Sequence, residues 1–125
     1  MENKWKNQNF FQSLKNAING ITYVFKSGRN FKIQLVFAIF AILVGIFLEL
    51  SNIEFAILII TIFFVLVMEC INTAIEKIVD MYTLEYNETA KIIKDTAAGC
   101  VTLTAILSII IGCLLFLPKL VEIIM

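Results

Sequence analysis

Glu69 is the residue of this chain best placed to do chemistry. It follows an uncharged apolar run, Phe55 to Met68 (FAILIITIFFVLVM). That run has roughly 14 residues and covers about 21 Å as a helix, whereas a bilayer core is about 30 Å thick. The missing turns must come from the next residues, ECINTAIE, which places Glu69 and Asn72 in the hydrocarbon or at its inner edge. An ionisable group at that depth is costly and by default has a function. At ~100° per residue from Glu69, Asn72 falls at about −60°, Thr73 at about +40°, Glu76 at about −20° and Asp80 at about +20°. These polar side chains therefore share one face of a helix. On the next helix Lys91, Lys94 and Asp95 share a face, with Ala98 a turn above. If the two helices form a hairpin, Lys94 and Asp95 lie at the level of Glu76 and Asp80.

Converging carboxylates without histidine suit a hard divalent cation, Mg²⁺ above all. Lysines beside them suit phosphate oxygens. Glu69 lies deeper than the lysines, where it can accept the proton of an alcohol that never leaves the lipid phase. Phosphoryl transfer asks a protein mainly to position groups and neutralise charge, which this set can do. The chain has no GxxxxGK[ST] or GxGxxG loop, so a nucleotide would have to be held by side chains and metal.

The composition sets the elements around these groups. The 125 residues are 60% hydrophobic and 16% charged, with zero net charge. The mean hydropathy is +0.91, that of an integral membrane protein. No dense basic cluster points to nucleic acid. The absence of histidine removes His-ligated zinc, Ser-His triads and imidazole relays. Cys70, Cys100 and Cys113 lie in apolar runs outside any CxxC pair and read as small packing residues. The opening residues, MENKWKNQNFFQSLKN, are too polar for a signal-peptide core, so no cleaved segment is expected.

A single domain over residues 1–125 is expected, all-α throughout. Residues 9–26 form an amphipathic helix, with Phe10, Phe11, Leu14, Ala17, Ile18, Ile21, Val24 and Phe25 at helical spacing. It is suited to the membrane surface; packing on a partner is the alternative. Spanning helices are expected over about 30–48, 53–81 and 88–117, with Asn87 or Thr89 capping the last and Pro118 ending it. Basic residues fall in the N-terminal flank (Lys4, Lys6, Lys15, Lys26, Arg29, Lys32) and around the second link (Lys77, Lys91, Lys94). The first link, ELSNIE, holds acids and no base. The N-terminus and second link are thus expected in the cytoplasm, and the first link and C-terminus outside; Lys119 alone argues the other way.

The segments ECINTAIEKIVD (Glu69 to Asp80) and AKIIKDTAAGCV (Ala90 to Val101) together resemble the signature of the small prokaryotic diacylglycerol kinase family. Gly20-Ile21, the RNF at Arg29 to Phe31 and the FLPK at Phe116 to Lys119 fit as well, so the resemblance covers nearly the whole chain. FLPK is similar to the Gram-positive branch, whose members mostly phosphorylate undecaprenol. The resemblance implies a homotrimeric helical bundle in the cytoplasmic membrane, with sites shared between subunits. It implies ATP as phosphoryl donor, Mg²⁺, and a membrane lipid alcohol as substrate, undecaprenol ahead of diacylglycerol. It assigns Glu69 as proton acceptor, Asn72 as an orienting group and Glu76 as a metal ligand. Asp80 would hold the nucleotide end, Lys94 and Asp95 would meet phosphates and metal, and Glu85, Tyr86 and Asn87 match a nucleotide-contacting stretch.

Three positions depart from the family pattern. Gly28 stands where a glutamate usually supplies a second metal ligand. Gln34 replaces an acid or histidine, and Asn16 replaces a nucleotide-contacting tyrosine. With Gly28 there, Asp80, Asp95 or water must supply the ligand, or turnover is impaired. Two other readings follow from the residues: a small transporter using Glu69 as a proton or cation site, and a kinase homologue without turnover.

Overall fold

The computed structural model describes Lys6 and residues 9–125, and Lys4 lies outside them. Four helices follow one another: α1 (Phe10–Ser27), α2 (Arg29–Phe47), α3 (Asn52–Tyr82) and α4 (Glu88–Ile124). The described residues contain no strand. Helices α2, α3 and α4 are long and apolar enough to cross a membrane. They run antiparallel in sequence, since Gln34 meets Glu69 and Asp80 meets Lys94 at one end, while Leu50, Leu58 and Leu115 cluster at the other.

The Asn9 side chain starts α1 by accepting from the Gln12 N–H at 2.9 Å. The helix then divides into three sectors. Ala17, Gly20 and Val24 face the body of the protein, and Val24 is buried. Phe10, Phe11, Leu14, Ile18, Ile21 and Phe25 form an exposed apolar stripe about 100° wide. Lys15, Asn19, Thr22 and Lys26 take the remaining sector. A helix with separate apolar, packed and polar faces is suited to an interface between oil and water.

A single extended residue, Gly28 (φ −105°, ψ 117°), separates α1 from α2. Its N–H bonds the Val24 carbonyl at 2.9 Å, and a Cβ built there would lie only 2.9 Å from that same oxygen. The corner is therefore closed on a residue without a side chain. Phe25 and Phe31 clasp it edge to face, with ring centroids 6.4 Å apart.

At the other end α2 terminates in a Schellman motif. The Leu50 N–H bonds Gly45 O at 3.0 Å and the Glu49 N–H bonds Ile46 O at 3.1 Å. Glu49 takes the left-handed conformation (φ 54°) that this motif usually reserves for glycine. Ser51 and Glu54 then start α3 with a reciprocal capping box. Gly45 lets the strand of chain after the turn pack back on α2, since a Cβ there would be 3.0 Å from Leu50 and 3.1 Å from Phe55.

Asn87 caps α4 through the Ala90 N–H at 2.9 Å. The helix does not end at Pro118, as its sequence led us to expect, but continues to Ile124. Proline removes one N–H, so the Leu114 carbonyl loses its helical donor, but tertiary contacts hold the turns on either side. Leu115 is buried beside Leu50 and Leu58, Phe116 packs on that cluster, and Lys119 Nζ lies 3.9 Å from Glu54 Oε2.

Replacing the left-handed residue tests the α2 terminus. Glu49→Gly should stabilise the fold by about 1 kcal/mol, read as a higher thermal midpoint in detergent micelles. An unchanged or lower midpoint would show that the turn carries no steric cost.

Candidate functional site

The polar face of α3 is built as a ladder, and each rung has its own partner. Glu69 is deepest and only 4% exposed. Its Oε2 accepts a hydrogen bond from Gln34 Nε2 on α2 at 3.3 Å. A carboxylate shut between apolar helices needs such a donor, because an unsatisfied one costs several kcal/mol or more. One turn on, Asn72 is buried and its Nδ2 donates to Glu76 Oε1 at 3.4 Å. Its Oδ1 is buried without a partner, as is Gln34 Oε1. Glu76 itself is exposed. Thr73 is spent on its own helix, its hydroxyl donating to the Glu69 carbonyl at 3.0 Å. Asp80 is paired across the hairpin with Lys94 at 2.7 Å.

The expected shared face of Lys94 and Asp95 divides in the structure. The two are neighbours in sequence and so point about 100° apart on α4. Lys94 turns to α3, while Asp95 turns outward and forms an ion pair with Lys91, four residues back on the same exposed surface. Within one chain Asp95 therefore does not join Glu76 and Asp80. Glu85, Tyr86 and Asn87 are exposed in the α3–α4 link. The Glu85 N–H bonds Thr83 Oγ1 at 3.1 Å, and Asn87 Oδ1 is committed to the cap of α4. Asn16, on α1, is exposed.

Glu69 and Asp80 are eleven residues apart on one helix, about 16 Å along its axis. Lys94, held at Asp80, is thus far from the Glu69 of its own chain. The chain holds a buried carboxylate at one level and a lysine ammonium at another.

Among the described residues no three acids, cysteines or histidines converge on a metal position. Those residues form no protein cage for a cation. Mg²⁺ rarely needs one, because it is usually held by one or two carboxylates with phosphate oxygens and water. Glu76, exposed beside the unpartnered Asn72 oxygen, fits that mode. Gly28 brings no ligand.

The residue that sequence reasoning undervalued is Gln34. It stood out only as a departure from a pattern, yet it is the hydrogen-bond donor to the deepest carboxylate. Its position as the last polar side chain of α2, followed only by apolar residues, was the available signal. Gln34 also forms one end of a cleft of about 580 Å³ between α2, α3 and α4.

Comparison with known proteins places the chain in a family. The family model for prokaryotic diacylglycerol kinase matches residues 15–116. An undecaprenol kinase of Bacillus subtilis is 41% identical over 111 residues, covering 89% of this chain and 90% of that protein. A diacylglycerol kinase of Synechocystis is 38% identical over 123 residues, covering 97% of this chain and 70% of that protein. The diacylglycerol kinase of Escherichia coli K12 is 29% identical over 85 residues, 68% of this chain and 70% of its own length.

The Asp80–Lys94 pair is more than a third exposed on both sides, so it adds little to folding. Asp80→Asn should cost no more than about 1 kcal/mol of stability, measured by thermal unfolding in micelles. A much larger loss would mean that the pair holds α3 against α4.

Proposed function

This chain belongs to the prokaryotic diacylglycerol kinase family and is a membrane-bound lipid kinase, and from that premise we propose that it transfers the γ-phosphate of ATP to undecaprenol, with diacylglycerol the second candidate. The observation that carries this reading is the buried Glu69 carboxylate, fixed by Gln34 at the end of an apolar cleft. With Oε2 taken by Gln34, Oε1 is the oxygen left for a substrate hydroxyl. Glu69 accepts the hydroxyl proton as the lipid oxygen bonds to the γ-phosphorus. The bond from that phosphorus to the bridging oxygen breaks, and ADP leaves with the electron pair. Asn72 orients Glu76 and the reacting groups. Lys94 exchanges Asp80 for phosphate oxygens, and Asp80, Asp95 and the stretch Glu85, Tyr86 and Asn87 hold the nucleotide. Glu76 would hold Mg²⁺ together with those oxygens, and the ion would neutralise charge on the triphosphate.

Glu76 stands exposed and Asp95 turns outward within one chain, which favours a site completed by a second copy. A homotrimer, with each site shared between neighbours, encloses the lipid head and the nucleotide, which three spanning helices alone can hardly do. The exposed apolar faces of α2, α3 and α4 provide the surface for it. ATP requires the Lys94 end to face the cytoplasm. This agrees with the basic residues of α1 and of the second link, and it puts the C-terminus outside. The transporter reading falls away, since the relatives are kinases. The reading without turnover rests on Gly28 alone.

The proposal is tested by phosphate transfer from ATP to each lipid in mixed micelles. Glu69→Gln should lower kcat by roughly 10²–10⁴-fold with the fold and oligomer intact. Activity at the wild-type level would remove Glu69 from its role. Gly28→Glu should give no gain, because the corner has closed on the glycine. A many-fold rise would show that the absent carboxylate limits the natural enzyme.

A further inference from the structure

One oxygen of Gln34 has no partner. Its Nε2 donates to Glu69 Oε2 at 3.3 Å, but its Oε1 is buried without a donor. A buried carbonyl oxygen left in that state is a cost, and native structures rarely keep one without a reason. Asn72 Oδ1 is orphaned in the same way, yet the Asn72 amide is committed to Glu76 through Nδ2. Among the described residues the Gln34 side chain bonds only Glu69, so it can turn over without giving up another partner. The two groups have complementary inventories. An ionised carboxylate only accepts hydrogen bonds, whereas a carboxylic acid also donates one. An amide donates from its nitrogen and accepts at its oxygen with no change of charge. An ammonium or guanidinium group in its place would only donate, and would hold Glu69 as the anion.

Resting on the kinase reading above, we propose that Gln34 is a positioning residue that serves Glu69 in both of its protonation states. Before transfer, Gln34 Nε2 donates to the carboxylate and leaves Glu69 Oε1 for the substrate hydroxyl. As the lipid oxygen bonds to phosphorus, the hydroxyl proton passes to that Oε1. The new carboxylic acid turns about its last side-chain bond, the amide turns likewise, and Gln34 Oε1 accepts from the Glu69 O–H. Both torsions join an sp³ to an sp² carbon, and such torsions have broad preferences. No bond between heavy atoms changes in the turn. It takes the proton out of line with the phosphorylated oxygen, and product release returns that proton to solvent. The amide oxygen is thus idle in one half of the cycle and bonded in the other.

Two substitutions test this, with kcat and KM for ATP read in mixed micelles and the oligomeric state measured alongside. Gln34→Met keeps a side chain of similar length that offers no N–H donor and no oxygen acceptor. It should lower kcat roughly tenfold or more and leave KM for ATP as it is. Gln34→His supplies a partner whose capacity follows pH. Neutral imidazole donates and accepts, whereas imidazolium only donates. The cleft at Gln34 is lined by no ionisable side chain; Cys70 beside Glu69, and Glu76 two turns on, are the other titratable groups of that stretch of α3. The ratio of kcat for Gln34→His to that of the natural protein should therefore climb as pH rises, from the level of the methionine variant to near parity. A flat ratio overturns the proposal and leaves Gln34 a donor alone. Natural turnover in Gln34→Met overturns it as well. If the methionine variant fails to assemble, the histidine variant decides by itself, since one assembled protein is compared across pH. A natural protein that transfers phosphate to neither undecaprenol nor diacylglycerol fails the kinase reading instead.

Discussion

A carboxylate in the middle of an apolar bundle constrains everything packed around it. Glu69 needs a donor within reach, and α2 brings one through Gln34 Nε2. That bond sets the register of α2 on α3 at one end of the pair. At the other end Gly45 sets it, admitting Leu50 and Phe55 where any side chain would exclude them. Between these fixed points α2 and α3 diverge enough to leave the cleft. The polar anchor and the apolar space beside it are two results of one alignment.

The second hairpin is held differently. Helices α3 and α4 form the most extensive contact between elements, and several hydroxyls on them are satisfied by their own helix carbonyls. Such back-bonding lets Thr61, Thr104 and Ser108 line a close interface without demanding partners across it. Charged pairs are kept to the rims, Asp80 with Lys94 at one and Glu54 with Lys119 at the other. Exposed pairs add little stability, so the one at Asp80 can open at low cost.

Much of this was legible in the residues. The order of four helices, the depth of Glu69 and the cap at Asn87 follow from hydrophobic runs and capping residues. What escaped has physical causes. Pro118 reads as a stop because the local rule concerns its missing N–H, whereas Leu115, Phe116 and Lys119 hold the flanking turns through contacts distant in sequence. Lys94 and Asp95 look like one cluster because they are adjacent, yet a helix turns neighbours apart. Gln34 was invisible as a partner because nothing in a linear pattern connects it to a residue thirty-five positions on.

The two rim pairs also act as a ruler. From Glu54 to Asp80 α3 advances about 39 Å, and from Lys94 to Lys119 α4 advances about 38 Å. The charged collars are therefore equally spaced on both helices, and both spacings exceed the hydrocarbon thickness of an average bilayer, about 30 Å. The excess must be absorbed by leaning the bundle or by letting the lysine stems reach back toward the headgroups. Thinning or thickening the surrounding membrane would change that lean, and with it the depth of Glu69 in the leaflet.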